Sequence, residues 1–212
     1  MTVMSHANVL VTGGAGFIGS NLAIHLRDAL PGSSITVLDN LKRRGSELNL
    51  PRLRENGIRF VHGDIRSCED LEFPSAKPFD LIVECSAEPS VLAGYERPGF
   101  VVDTNLTGTV NCLELARRHR SDFLFLSTSR VYPIAALRRL RFDETPARFE
   151  LASDQDVPGA SVEGIGEDFP LHGARSLYGT TKLASELLVE EYRDAFGIRA
   201  IVNRCGVVAG PW

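Results

Sequence analysis

The sequence lacks long apolar runs and paired cysteines. No stretch approaches the roughly 18 apolar residues that a membrane-spanning helix needs, and the N-terminus has no charged region followed by an apolar signal segment. Its cysteines, Cys68, Cys85, Cys112 and Cys205, are scattered without the spacing of metal ligands, so we interpret them as reduced thiols and expect no metal. These absences predict a cytoplasmic protein that does not enter the membrane.

An excess of one charge is also missing. The sequence has 23 lysines and arginines against 27 aspartates and glutamates, a net charge of -4, and the two signs are interspersed. No basic stripe alternates with aromatic residues, so we expect no nucleic-acid partner. No internal repeat or low-complexity tract occurs, and 212 residues are enough to bury a full core.

A glycine-rich segment follows the first apolar strand pattern, which covers Asn8–Val11. Gly13, Gly16 and Gly19 come next, and a helical pattern then ends near Pro31. In dinucleotide-binding folds such glycines permit a tight turn, let the backbone approach the phosphates, and allow close packing of helix on strand. The N-terminus of the helix attracts the pyrophosphate. Because this spacing also occurs in ordinary turns, the flanking strand and helix carry the interpretation.

An acidic residue ends the second strand pattern. Ile35–Leu38 is apolar, and Asp39 stands 20 residues after Gly19. A carboxylate at this distance accepts hydrogen bonds from the adenosine ribose and would repel the 2'-phosphate of NADP. Arg43 and Arg44 could pair with such a phosphate or form a solvated loop. Weighed against the two arginines, the carboxylate of Asp39 favours NAD over NADP.

Strand-like and helical patterns alternate along the chain. Predicted strands cover 8–11, 35–38, 58–61, 79–85, 123–126 and 198–203, and the main predicted helices after the first cover 51–55, 98–119 and 177–196. The alternation predicts an α/β fold with a Rossmann-type, doubly wound parallel sheet. A segment of about forty residues between Pro133 and Ala174 breaks the pattern, and we expect it to border the active site.

Two residues with complementary chemistry begin the last predicted helix. Tyr178 and Lys182 stand four apart and therefore share a helix face. A lysine ammonium beside a phenol favours the phenolate and lowers its pKa, which suits a tyrosine that takes a proton from a sugar hydroxyl. A chance surface pair is the alternative, although the sequence has only four tyrosines and three lysines.

A hydroxyl-rich segment, Leu126–Tyr132, follows the fifth predicted strand. The carboxyl edge of a parallel sheet is where such folds bind ligands. Thr128 is the hydroxyl that we place beside Tyr178, where it would steady the reacting oxygen. The serines and threonine here could instead satisfy backbone groups of a turn, and spacing alone does not choose among them.

Six segments together carry a family resemblance: Gly13–Gly19, Asp39–Asn40, Gly63–Ile65, Asn105–Thr109, Ser127–Tyr132 and Tyr178–Lys182. They resemble extended short-chain dehydrogenase/reductases of the NAD-dependent epimerase/dehydratase family. The resemblance implies NAD as cofactor and a catalytic triad of Thr128, Tyr178 and Lys182. It also implies cofactor contacts from Gly13, Gly16, Phe17, Ile18, Gly19, Asp39, Asn40, Arg43, Asp64, Ile65, Ala87, Asn105, Tyr178 and Lys182.

The sequence departs from the family pattern at the end of the fourth predicted strand, and it differs from the family's dehydratases after Thr128. Glu84–Ala87 replaces a sequence of the His-Leu-Ala-Ala type. In the family's sugar-nucleotide 4,6-dehydratases, Asp and Glu follow the catalytic threonine and eliminate water. Ser129 and Arg130 hold those positions here, which favours epimerisation.

Three further segments, 39–50, 87–94 and 203–212, are similar to the CDP-paratose 2-epimerase subgroup. That similarity implies 2-epimerisation of a CDP-linked dideoxyhexose, CDP-paratose to CDP-tyvelose, through a transient keto-sugar. A UDP-sugar 4-epimerase and a non-catalytic NAD-binding sensor are the alternatives. Such sensors usually lack the tyrosine and lysine pair, so Tyr178 and Lys182 argue against the second alternative.

The resemblance also has consequences for the domains and partners. It implies that 1–212 is an NAD-binding Rossmann domain with the catalytic residues, and that a substrate lobe of about 100 residues follows Trp212. Residues 1–212 alone would bind NAD but turn over substrate poorly. The partners expected are a nucleotide-sugar substrate and a second copy of the chain, paired through the helix at 98–119 and the helix that begins at Tyr178.

Overall fold

A six-stranded parallel sheet forms the centre of the computed structural model, which describes residues 6–72 and 77–210. The strands are β1 Asn8–Thr12, β2 Ser34–Asp39, β3 Arg59–His62, β4 Leu81–Glu84, β5 Asp122–Thr128, β6 Phe142–Glu144, β7 Phe149–Leu151, β8 Ala160–Ser161, β9 Gly164–Ile165 and β10 Ala200–Cys205. The central sheet has the order β10-β5-β4-β1-β2-β3, and all its pairs are parallel. The predicted Rossmann-type sheet is therefore confirmed, and its strand order reverses between β1 and β4.

Helices cover both faces of this sheet. They are α1 Phe17–Ala29, α2 Leu50–Glu55, α3 Val91–Glu96, α4 Pro98–Val102, α5 Gly108–His119, α6 Ile134–Leu137 and α7 Leu177–Phe196. Since both faces are covered, the central strand β1 is apolar on both sides, and its Val9, Leu10 and Val11 are fully buried. Leu10 faces the core under α5 and α7, whereas Val9 and Val11 face the core under α1 and α2. Within the described ranges, no helix is long and apolar enough to cross a membrane.

The predicted helix over 98–119 is interrupted. α4 and α5 flank a π-helical turn, Asp103–Thr107, in which the backbone takes up one extra residue per turn. α3 was not predicted, although its sequence carries a helix-start signal. The Ser90 hydroxyl accepts a hydrogen bond from the Ala93 N–H at 3.2 Å, as an N-cap residue does.

The segment between Pro133 and Ala174 folds into α6 and two antiparallel hairpins, β6-β7 and β8-β9. A small apolar core holds it to the rest of the domain. In that core the rings of Tyr132 and Phe169 meet edge to face, with their centroids 5.3 Å apart. The end of the segment that resembles the 2-epimerases, Pro211 and Trp212, lies outside the described residues.

A buried ion pair fixes the edge strand β10 to α7. Arg204 Nη2 lies 2.8 Å from Oε2 of Glu186, whose side chain is only 4% exposed, and the Ser127 hydroxyl also donates to Glu186. We expect Arg204→Leu to lower the free energy of unfolding by about 3–5 kcal/mol, because it leaves a buried carboxylate without its counter-charge. Urea unfolding followed by circular dichroism measures this loss.

The matched control is Arg148→Leu. Arg148 pairs with Glu150 on an exposed hairpin, with the two side chains 75% and 50% exposed. Such a pair contributes little, so this variant should unfold like the parent chain. Equal losses in the two variants would contradict a special role for the buried pair.

Candidate active site and dinucleotide cleft

A cleft of about 400 Å³ opens at the carboxyl ends of the strands, around the point where their order reverses. Among the predicted residues, those that line it are Gly13, Gly16, Phe17, Ile18, Gly19, Asp39, Asn40, Arg43, Asp64, Ile65, Ala87 and Tyr178. Residues outside the predicted set of site residues also line it: Leu38, Ser46, Gly63, Cys85, Ser86, Pro89, Thr104, Leu126, Ser127, Cys205 and Val208. Cys85 and Cys205 end or directly follow a strand, which is the signal that could have found them.

The glycine turn leaves no room for side chains. Gly13 has φ +64°, a conformation that favours glycine, and a Cβ there would lie 2.9 Å from the backbone of Cys85. A Cβ at Gly19 would overlap the carbonyl oxygen of Gly13. α1 begins directly after Gly16, so its free N–H groups lie at the cleft. This bare backbone beside a helix N-terminus fits a pyrophosphate.

Asp39 has a structural role at this turn in addition to the one predicted. Its carboxylate accepts hydrogen bonds from the backbone N–H of Ala15 at 3.1 Å and of Leu41 at 2.8 Å. The side chain also lines the cleft, where the ribose contact was predicted. Asp39 therefore connects the glycine turn to the loop that follows β2.

The adenine end of the predicted site carries a second carboxylate. Asp64 accepts hydrogen bonds from Asn40 Nδ2 at 2.8 Å and from Arg66 Nη2 at 2.6 Å. The hydrogen bond from Arg66 holds the pKa of Asp64 well below its usual range, so this carboxyl is an anion. Asp64 and Ile65 both line the cleft, as expected for residues beside the adenine.

Tyr178 lies at the other end of the cleft, in the first turn of α7. The Ser176 hydroxyl caps this helix by accepting from the Gly179 N–H at 3.1 Å. Burial raises the pKa of Tyr178, and a hydrogen bond with Thr128 lowers it. Thr128 and Tyr178 are thus together, as predicted, but the pKa of the phenol is shifted upwards, not downwards. Among the nearby ionisable groups, Cys205 and Glu84 raise this pKa and Arg130 lowers it.

Lys182 lies behind the cleft, not on its surface. The residue is only 2% exposed, and its Nζ lies 3.9 Å from the centre of the Phe125 ring. Burial lowers the pKa of Lys182, and Glu84 opposes that shift. The lysine expected to lower the pKa of Tyr178 therefore has its ammonium over an aromatic ring, which explains why burial dominates at Tyr178.

Asn105 is also set back from the cleft. The π turn buries it completely, and its side chain accepts from the Glu88 N–H at 2.7 Å and donates to the hydroxyl of Thr181 at 3.2 Å. Asn105 thereby joins the segment after β4 to α7. Its neighbour Thr104 lines the cleft, and the Thr104 hydroxyl has no hydrogen-bond partner among the described residues.

The two ends of the cleft differ in chemistry. Of the described residues that line it, the carboxylates are Asp39 and Asp64, both at the predicted adenine end. Tyr178, Ser127 and Cys205 lie at the other end, where they present a phenol, a hydroxyl and a thiol. No lining residue comes from the described segment 133–174, although we expected that segment to border the site.

Known proteins match this chain along nearly its whole length. The chain is 32% identical over 200 residues to CDP-paratose 2-epimerase of Salmonella typhi, and the match covers 92% of this chain and 56% of that protein. It is 35% identical over 208 residues to dTDP-glucose 4,6-dehydratase of Mycolicibacterium smegmatis, and that match covers 96% of this chain and 54% of the dehydratase. The chain thus spans about half the length of the curated relatives it matches.

A solved structure of UDP-glucose 4-epimerase from Thermus thermophilus, in complex with NAD, superposes with a TM-score of 0.66. It is 27% identical, and the match covers 93% of this chain and 54% of that one. The sequence profile described as NAD dependent epimerase/dehydratase family matches residues 9–212. Together with the glycine turn and the cleft, this match means that the chain belongs to the NAD-dependent epimerase/dehydratase family.

Proposed function

We propose that this chain is the NAD-binding and catalytic part of a nucleotide-sugar epimerase that acts through a transient keto-sugar. The observation that carries the proposal is the absence of a carboxylate beside Tyr178 among the described residues that line the cleft. Dehydration needs an acid to protonate the leaving hydroxyl, and Ser129 and Arg130 follow Thr128 where the dehydratases have Asp and Glu. Epimerisation needs only a proton acceptor and a hydride carrier.

In this proposal the Tyr178 phenolate accepts the proton of the sugar hydroxyl during oxidation and returns it when the keto-sugar is reduced. Thr128 hydrogen-bonds the same oxygen. NAD, when bound, supplies reversible removal of hydride from the sugar carbon. The glycine turn and Asp39 would hold its pyrophosphate and ribose, and Lys182 would support the nicotinamide ribose from behind Tyr178. Burial raises the pKa of Tyr178, so Tyr178 has to lose its own proton before its phenolate can accept the proton of the sugar hydroxyl.

The finer proposal is 2-epimerisation of CDP-paratose to CDP-tyvelose. The 32% identity to CDP-paratose 2-epimerase supports it. The dTDP-glucose 4,6-dehydratase is similar to the same degree, so the cleft chemistry is what favours an epimerase. UDP-sugar 4-epimerisation is the second candidate, because of the likeness to UDP-glucose 4-epimerase and because the same three side chains would serve it.

A panel of nucleotide sugars tests the proposal on the full-length protein with NAD. CDP-paratose should raise the unfolding temperature more than UDP-glucose or dTDP-glucose does, and NMR of the products should show CDP-tyvelose. Formation of UDP-galactose from UDP-glucose would support the second candidate. A 4-keto-6-deoxy product from dTDP-glucose would overturn the epimerase assignment. NAD binding without turnover of any member would favour the sensor.

We also propose that the full-length protein is a cytoplasmic homodimer and that it has a substrate lobe that follows residue 212. Exposed apolar side chains on neighbouring helices support the dimer: Leu92 and Tyr95 on α3 are 70% and 78% exposed, and Leu187 on α7 is 57% exposed. The match to only 54–56% of the curated relatives supports a further lobe.

A further inference from the structure

A buried carboxyl group lies at the carboxyl end of β4, away from the cleft surface. Glu84 is 0% exposed, and its Oε2 accepts a hydrogen bond from the Thr109 hydroxyl at 3.2 Å. Its other oxygen, Oε1, is buried and has no hydrogen-bond partner among the described residues. Burying a carboxyl in this way is costly unless a counter-charge is close.

The sheet brings Glu84 to the lysine assigned to the catalytic triad. In the parallel pairing of β4 and β5, Glu84 stands opposite Phe125, so the two side chains lie next to each other on the face under α5 and α7. Lys182 extends from α7 onto this same place, with its Nζ 3.9 Å from the Phe125 ring centre. Glu84 and Lys182 therefore share one dry space. Burial raises the pKa of Glu84 and lowers that of Lys182, and the charge of each residue opposes the shift of the other.

The other groups that face Lys182 do not supply its counter-charge. Glu186 acts on it from α7, but Arg204 already neutralises Glu186 through a 2.8 Å contact. Cys85 and Cys112 also face Lys182, and burial raises the pKa of both thiols, so they stay neutral. Glu84 is the remaining acid.

We propose that Glu84 is a positioning residue whose buried carboxylate is the counter-ion that keeps Lys182 an ammonium behind Tyr178. The catalytic part of this idea rests on the proposed function, whereas the charge of Lys182 belongs to the chain and is measurable without turnover. Burial by itself lowers the pKa of Lys182. Without Glu84, the lysine would therefore lose its proton at a lower pH.

NMR of ¹³Cε-labelled lysine tests this directly, because the sequence has only three lysines, Lys42, Lys77 and Lys182. Lys182→Arg assigns the Lys182 signal by removing it. In Glu84→Gln, which keeps the shape but loses the charge, the titration midpoint of Lys182 should move to lower pH. The midpoints of the other two lysines should not move.

Thr109→Ser is the matched control. It keeps the hydroxyl that bonds Glu84 and removes only a buried methyl group, so it should lower stability and leave the Lys182 midpoint near that of the parent chain. An unchanged midpoint in Glu84→Gln would overturn the proposal, and so would an equal shift in Thr109→Ser. If Glu84→Gln fails to fold, the titration of Lys182 in the parent chain tests the proposal instead. A Lys182 that is already neutral at neutral pH in the parent chain would overturn the proposal.

In the full-length protein the charge of Glu84 should also affect the pH dependence of kcat. Glu84 also raises the pKa of Tyr178, so Glu84→Gln should move both limbs of the profile to lower pH. A profile that drops in height without moving would mean a merely structural role and would contradict the proposal. If no substrate is found, the proposed function fails while the NMR result still stands.

Discussion

Replacing Tyr178 with phenylalanine is expected to lower kcat by about 10²- to 10⁴-fold, the usual contribution of a positioned general acid or base. The change removes one hydroxyl, at the end of the cleft where described lining carboxylates are absent. Affinity for NAD should be retained, because the glycine turn and Asp39 lie at the other end. Steady-state turnover of the full-length protein and calorimetric titration with NAD measure the two quantities.

Tyr95→Phe is the control for this substitution. Tyr95 is 78% exposed on α3, and it does not line the cleft, so its hydroxyl should be dispensable. Full turnover by the Tyr178→Phe protein would refute the assignment of Tyr178. A parallel loss of NAD affinity would instead indicate that the phenol binds the cofactor.

Gly19→Ala is expected to weaken NAD binding by at least about tenfold, or about 1.4 kcal/mol. The new methyl group would overlap the carbonyl oxygen of Gly13, so either α1 or the turn must move. Overpacking of this kind also destabilises the fold, by about 1–3 kcal/mol. Titration with NAD and thermal unfolding of residues 1–212 check both effects, since neither needs turnover.

Gly99→Ala provides the comparison. A Cβ at Gly99 would meet no atom within 4 Å, and the residue lies in α4, where alanine is the better helix former. NAD affinity should be unchanged and stability equal or slightly higher. A weakened affinity in this variant, or an unaltered one in Gly19→Ala, would argue against the close packing of helix and turn.

Much of the fold was predictable because strong periodic signals coincide with long elements. The apolar residues of β1 and the 20-residue α7, from Leu177 to Phe196, have patterns that the packing on a parallel sheet requires. The glycine turn was predictable for a similar reason, since Gly13 and Gly19 are positions that no other residue can fill without movement. Membership of the family followed from these segments and is confirmed.

What sequence reasoning missed depends on contacts between distant segments. The π turn places Asn105 in the core because Glu88 and Thr181, far apart in the chain, both bind its side chain. The upward shift of the Tyr178 pKa likewise reflects burial by the whole domain, whereas the four-residue spacing to Lys182 reports only that the two share a helix face. Spacing along a helix does not reveal that Phe125 receives the ammonium.

The two backbone hydrogen bonds of Asp39 limit how its cofactor preference could be re-engineered. A designer who wished to admit NADP would first replace this carboxylate, to remove its repulsion of the 2'-phosphate. The same change would release the N–H groups of Ala15 and Leu41, which this one side chain holds. Selectivity and the shape of the phosphate turn are thus linked in a single residue, and a successful redesign has to replace both hydrogen bonds together with the charge.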